Sequence, residues 1–108
     1  MVSTVETTPI IAYRAFWDVP RWFLIQHRGR LLLFAAPWDD ELDDYAAEYS
    51  VYALPPDVDL DGDWVTLPPQ AQSMRGRVAV GAMRFDETRR AGVELAPIED
   101  IARGAGWR

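Results

Sequence analysis

Residues 21–36 read RWFLIQHRGRLLLFAA and hold the clearest local signal in the chain. Two apolar runs, Arg21 to His27 and Arg30 to Ala36, are separated only by Arg28 and Gly29, a spacing suited to a two-residue hairpin turn. That register sets Ile25 against Leu32 and Phe23 against Phe34 on one face. Leu24 then opposes Leu33, and Trp22 opposes Ala35, on the other. Both faces are apolar. A sheet wetted on one side alternates apolar with polar residues, so this hairpin is expected to be covered twice, by a barrel, a helix or a second subunit. A homodimer through the 21–36 hairpin is therefore one reading.

Upstream, Pro9 to Trp17 is rich in aromatic and branched residues and predicts a first strand, with Ile11, Tyr13, Ala15 and Trp17 on one face. Asp18, Val19 and Pro20 predict the turn that ends it. Downstream of Pro37, Asp39 is placed to cap a short helix whose first turn holds Asp40, Glu41 and Asp43. Leu42, Tyr45, Ala46 and Tyr49 recur at helical spacing, giving that helix an acidic outer face over Asp39 to Glu48. Tyr49 to Leu54 alternates as a strand, ended by Pro55 and Pro56. Asp57 to Ser73 reads as loop, with a short strand from Trp64 to Leu67. Arg77 to Asp86 and Gly92 to Ala96 predict a second hairpin with Val78, Val80, Val93 and Leu95 in the core. Pro97 starts a last helical turn, with Glu99 and Asp100 near its beginning, Arg103 near its end and Gly104 as its stop.

A chain of 108 residues is the size of one domain, and 49% hydrophobic against 26% charged residues is the balance of a folded globule. The absence of cysteine rules out a disulfide framework, a thiolate metal site and a thiol nucleophile, and fits a bacterial cytoplasm. All basic residues are arginine, which reflects a GC-rich coding bias rather than chemistry. Met1 to Thr8 lacks the basic start and apolar run of a secretory signal. The longest apolar run, Leu31 to Trp38, is short of the ~20 residues that span a bilayer, so no membrane span is expected. Net charge is −6, and its distribution carries more than its sum. Leu31 to Met74 holds ten carboxylates and no arginine, while both flanks are slightly basic. Such a middle repels phosphates and anionic lipid, which argues against nucleic acid and favours basic protein surfaces or divalent cations.

Three constellations could carry chemistry. Asp57, Asp59, Asp61 and Gly62 resemble the start of an EF-hand-type calcium loop, in which alternate carboxylates converge on a hard cation. The twelfth position, where a bidentate glutamate belongs, is Pro68, and Pro55 and Pro56 oppose a helix leading in. A solvated aspartate turn is the plainer reading. His27 is the only side chain with an unperturbed pKa near neutrality, so a small hydrolase would be built from it and several carboxylates. Its place beside the Arg28–Gly29 turn favours an ordinary surface position, and no nucleophile, catalytic residue or zinc site is specified. Of five tryptophans, Trp17 and Trp22 are assigned to the core, while Trp38 and Trp64 each border an acidic segment. Exposed, those two would anchor a partner rich in arginine or lysine.

The expected fold is mainly β: one small antiparallel sheet of about five or six strands curled into a partly open barrel, with one short acidic helix and a C-terminal helical turn. An α+β sheet with the helix across one face is the alternative. The expected function is a non-enzymatic, cytoplasmic protein-binding module for a basic partner, using Trp38, Asp39, Asp40, Asp43, Asp44 and Trp64. Calcium binding through Asp57, Asp59 and Asp61, and hydrolysis through His27, are the alternatives.

Overall fold

The structure, a computed structural model, describes residues 6–105, with side chains to residue 100. Its centre is the hairpin of strands β3 (Pro20–His27) and β4 (Arg30–Ala35), paired in the register the sequence predicts: Ile25 with Leu32, Phe23 with Phe34, Leu24 with Leu33 and Trp22 with Ala35. Arg28 and Gly29 both take positive φ, 53° and 76°. Turns of that kind match the right-handed twist of the flanking strands, which is why two residues suffice here.

Around this hairpin lies an open five-stranded antiparallel sheet in the order β2–β3–β4–β7–β8, where β2 is Ala12–Phe16, β7 Glu48–Leu54 and β8 Ser73–Ala79. Its edges β2 and β8 do not pair with each other, in keeping with a partly open barrel. The fold is mainly β. A second, two-stranded sheet joins β1 (Thr7–Pro9) to β9 (Gly92–Glu94). The predicted first strand is therefore two strands. Ile10 donates to the Ala91 carbonyl and Ile11 to that of Leu24, so the chain changes sheets between them.

Both faces of the central hairpin are covered from within the chain. On one face Phe23, Ile25, Leu32, Phe34, Tyr49, Val51 and Val78 pack with Met83, Val93 and Ile98. Phe23 and Phe34 stack with ring centres 4.7 Å apart, and Tyr49 meets Phe23 edge-on. On the other face Trp22, Leu24, Leu33 and Leu54 pack under Trp64 and Leu67, which the 55–72 segment folds back across the sheet. Burying each large apolar side chain contributes roughly 1.5–3 kcal/mol, so two such layers on one sheet account for a stable small domain. Coverage of the hairpin is met without a second subunit.

Four local expectations are corrected. The acidic helix over Asp39 to Glu48 is instead a small hairpin, β5 (Trp38–Asp39) and β6 (Asp44–Tyr45), joined by a turn through Asp40–Asp43. The aspartates explain this. Asp39 Oδ1 accepts the Glu41 amide at 2.9 Å and Asp44 Oδ1 accepts the Tyr45 amide at 2.7 Å, local bonds that compete with a helix. Asp43 adopts φ 51°, and the Ala46 amide closes the base on the Pro37 carbonyl at 2.8 Å. Trp64–Thr66 is a 3-10 turn rather than a strand, capped by Asp63. The second hairpin exists only as a Phe85–Val93 bridge, because β8 pairs with β7 and β9 with β1. The C-terminal helix α1 (Ala96–Ala105) continues through Gly104.

Among the described residues no helix is long and apolar enough to cross a membrane.

Candidate protein-recognition surface

Three connecting segments gather at one end of the sheet around Arg21, the second residue of β3. The Arg21 side chain is only 10% exposed. Its Nη2 donates to Asp18 Oδ1 at 2.6 Å, and its guanidinium carbon lies 4.7 Å from the centre of the Tyr45 ring. Burial alone would push the Asp18 pKa up. The hydrogen bonds from the backbone and Arg21, together with the Arg21 charge, outweigh it and hold the carboxyl below its ordinary value.

Tyr45 in turn meets Trp38 edge-on, with ring centres 5.3 Å apart, and the Trp38 indole donates to Asp40 Oδ1 at 3.0 Å. A continuous run of contacts thus leads from Asp18 through Arg21 and Tyr45 to Trp38. It fixes the small acidic hairpin against the sheet, so that Trp38 and Leu42 stand 51% and 62% exposed between Asp39, Asp40, Glu41, Asp43 and Asp44.

The third segment, residues 86–92, is built on Asp86. Its carboxylate accepts the Thr88 hydroxyl and the amides of Thr88, Ala91 and Gly92. The Thr88 hydroxyl bond leads the causes that hold its pKa well below the usual carboxylate range, against a smaller opposing effect of burial. From this loop Arg89 donates to the Asp18 carbonyl at 2.9 Å, and Arg90 lies 4.3 Å above the Phe16 ring. Asp18 thus meets Arg89 on one hand and, through Arg21, the acidic hairpin on the other, and its neighbour Trp17 is 75% exposed in the bend before β3. The segments that meet around Asp18 and Arg21 therefore carry two exposed indoles, an exposed leucine, the carboxylates of the hairpin and two guanidinium groups.

Comparison with family models, curated proteins and solved structures finds no match. Function has to be argued from the side chains alone.

Of the residues singled out in the sequence, Trp38, Asp39, Asp40, Asp43 and Asp44 come together in the one hairpin. Trp64 does not join them. It is 4% exposed, donates to the Leu60 carbonyl at 2.9 Å and carries Arg14 on its face at 4.5 Å. Ala36 and Ala46, which flank the acidic hairpin, pack with one core layer, whereas Val58, Leu60 and Trp64 belong to the layer on the opposite side of the sheet. The two acidic segments are anchored to opposite faces. Asp59 in the second one accepts the Asp61 amide at 3.0 Å, and among the described residues no group of three His, Cys, Asp or Glu side chains is placed to hold a metal ion.

His27 is buried rather than superficial. Its Nε2 lies 3.1 Å from Glu99 Oε1 of α1, and Arg28 donates to the other Glu99 oxygen at 3.0 Å, because the C-terminal helix docks beside the hairpin turn. His27 lines neither of two surface cavities. One, of about 190 Å³, lies between Gln26, Arg30, Leu54 and Gln72, and the other, of about 270 Å³, between Arg14, Trp22, Asp63 and Trp64.

Trp17, Asp18 and Arg21 are the site residues that sequence periodicity missed. Ala15 takes φ 55° and is skipped in the pairing between Arg14–Trp22 and Phe16–Pro20. The register is kept on either side of Ala15, but β2 ends at Phe16, so Trp17 falls in the bend beyond the strand whose alternation had put it in the core. The signal was the Trp17–Pro20 turn itself, where an aromatic side chain has no strand to bury it.

Proposed function

We propose that the chain is a small non-enzymatic protein-recognition module that takes a cationic, partly apolar protein surface at its loop end. One observation carries this reading: Trp38 and Leu42 are held exposed among the carboxylates of a braced hairpin, with Trp17 exposed in the neighbouring bend. Interface centres are enriched in aromatic residues, with a charged, solvated rim. A guanidinium or ammonium group placed on Trp38 would gain about 0.5–1 kcal/mol from the ring at an exposed site, and the surrounding carboxylates add orientation and association rate. Bracing by Arg21 and Tyr45 reduces the ordering cost of binding. The lack of cysteine supports placing the protein in a reducing compartment such as the bacterial cytoplasm.

A defined probe tests this. A synthetic peptide alternating arginine with leucine should quench or shift tryptophan emission saturably, more weakly at 300 mM than at 50 mM salt, while a glutamate–leucine peptide of equal length should not. The variant Asp39→Ser, Asp40→Ser, Asp43→Ser, Asp44→Ser should lose at least tenfold in affinity. Equal binding by that variant, or by the acidic peptide, rejects the reading.

A further inference from the structure

We propose that the cationic surface taken by this site is Arg89 and Arg90 of a second copy of the same chain, giving a twofold dimer through the loop end. The inference rests on the reading above, that the loop end recognises protein, and names the partner.

The surface is dipolar. Asp39, Asp40, Glu41, Asp43 and Asp44 lie on the hairpin that reaches Asp18 through Tyr45 and Arg21, and Arg89 and Arg90 lie on the loop that meets the Asp18 carbonyl and the Phe16 ring. Arg89 is bonded to a carbonyl and Arg90 lies on a ring, and among the described residues neither forms an ion pair with a carboxylate. Arg84, 78% exposed, reaches Glu94 only at 3.7 Å. A patch carrying both signs on either side of an apolar centre is self-complementary under a twofold axis. An axis through the Trp17–Asp18 bend lays each acidic hairpin against the other copy's arginines, forms every contact twice and closes without leaving a free binding surface. The same arrangement covers Trp17 near the axis and Trp38 and Leu42 on each hairpin, all exposed in one chain.

Other routes to a dimer are less favourable. The 21–36 hairpin is covered on both faces. The β2 edge is short and departs from extended backbone at Ala15, whose φ is 55°, a feature that discourages edge-to-edge pairing. Antiparallel pairing of two β8 edges about Gly76 would set Arg75 of one copy opposite Arg77 of the other, a like-charge cross-strand pair.

Charge reversal and complementation provide the test, read by sedimentation equilibrium at 50 mM salt with the fold of each variant checked by circular dichroism. Wild type should sediment at twice the 12.3 kDa of one chain. Asp40→Arg with Glu41→Arg, and separately Arg89→Asp with Arg90→Glu, should each sediment as single chains, and an equimolar mixture of the two variants should recover the doubled mass. A wild type that stays a single chain at several hundred micromolar overturns the dimer, as does a doubled mass that neither reversal changes. Titrating the arginine–leucine peptide into the Arg89→Asp, Arg90→Glu variant, whose acidic hairpin is intact, separates the two proposals. Peptide binding alongside a monomeric wild type leaves protein recognition standing and removes self-association, whereas loss of both removes the recognition surface itself.

Discussion

The Arg21 guanidinium lies against the Tyr45 ring, 4.7 Å from its centre, and through that contact a strand of the main sheet holds the acidic hairpin in place. Arg21→Met keeps most of the apolar stem and removes the cation. It is expected to cost about 1–2 kcal/mol, the loss of a partly desolvated cation–ring contact and an ion pair whose Asp18 partner remains hydrated. Urea denaturation measures the cost. Amide exchange should quicken selectively across residues 38–45, and uniform quickening would show that the hairpin does not depend on this brace.

Three tryptophans should divide by burial. Trp64→Ala opens the layer formed with Trp22, Leu24 and Leu67 and is expected to cost about 3–5 kcal/mol. Trp17→Ala should change stability by no more than about 0.5 kcal/mol, and Trp38→Ala, which gives up the Tyr45 edge contact, by about 1 kcal/mol. Denaturant titration of the three variants checks the order.

Acid should weaken the fold through Asp18 and Asp86. Both carboxyls sit below their ordinary value of 3.8 in the folded chain, so the unfolded chain takes up their protons first. Their stabilisation is fully present above the unfolded pKa, and it is lost as the pH falls past that value and through the folded one. Melting temperature should therefore be flat in this respect above about pH 5 and fall below about pH 4. Asp86→Ala should flatten the acid limb and loosen residues 86–92. An acid limb unchanged in both Asp18→Ala and Asp86→Ala would place the acid sensitivity elsewhere.

Glu99 ties α1 to the hairpin turn through His27 and Arg28. Glu99→Ala is expected to destabilise the chain by about 1–2 kcal/mol at neutral pH, by removing a charge-assisted bond to a buried ring. The loss should show as faster amide exchange in residues 96–105 before the sheet itself opens. Glu99→Gln, which retains a carbonyl acceptor, should recover part of it.

The central hairpin was legible to the residue because its signal is local: two runs, a two-residue gap and a parity that pairing preserves. β7 was legible for the same reason, bounded by Pro55. The acidic segment was not. Leu42, Tyr45, Ala46 and Tyr49 lie at helical spacing by coincidence, since Tyr49 belongs to β7, where its hydroxyl, pushed to a higher pKa by burial, donates to the Pro20 carbonyl at 2.7 Å. The aspartates that suggested a helix start are equally good turn formers, and the chain uses them so. Trp38 to Asp44, grouped in the sequence as a candidate surface, do lie together in one hairpin. Trp64 was placed there only because it is also flanked by acids, and Trp17, Arg89 and Arg90 required the tertiary fold to bring three loops together.

Amide chemical-shift mapping locates the proposed recognition surface residue by residue. On titrating the nitrogen-15-labelled protein with the arginine–leucine peptide, shifts should concentrate in residues 17–21, 38–45 and 86–92. Shifts centred instead on the cavity of Arg14, Gly62 and Val65, or around His27 and Glu99, would contradict it.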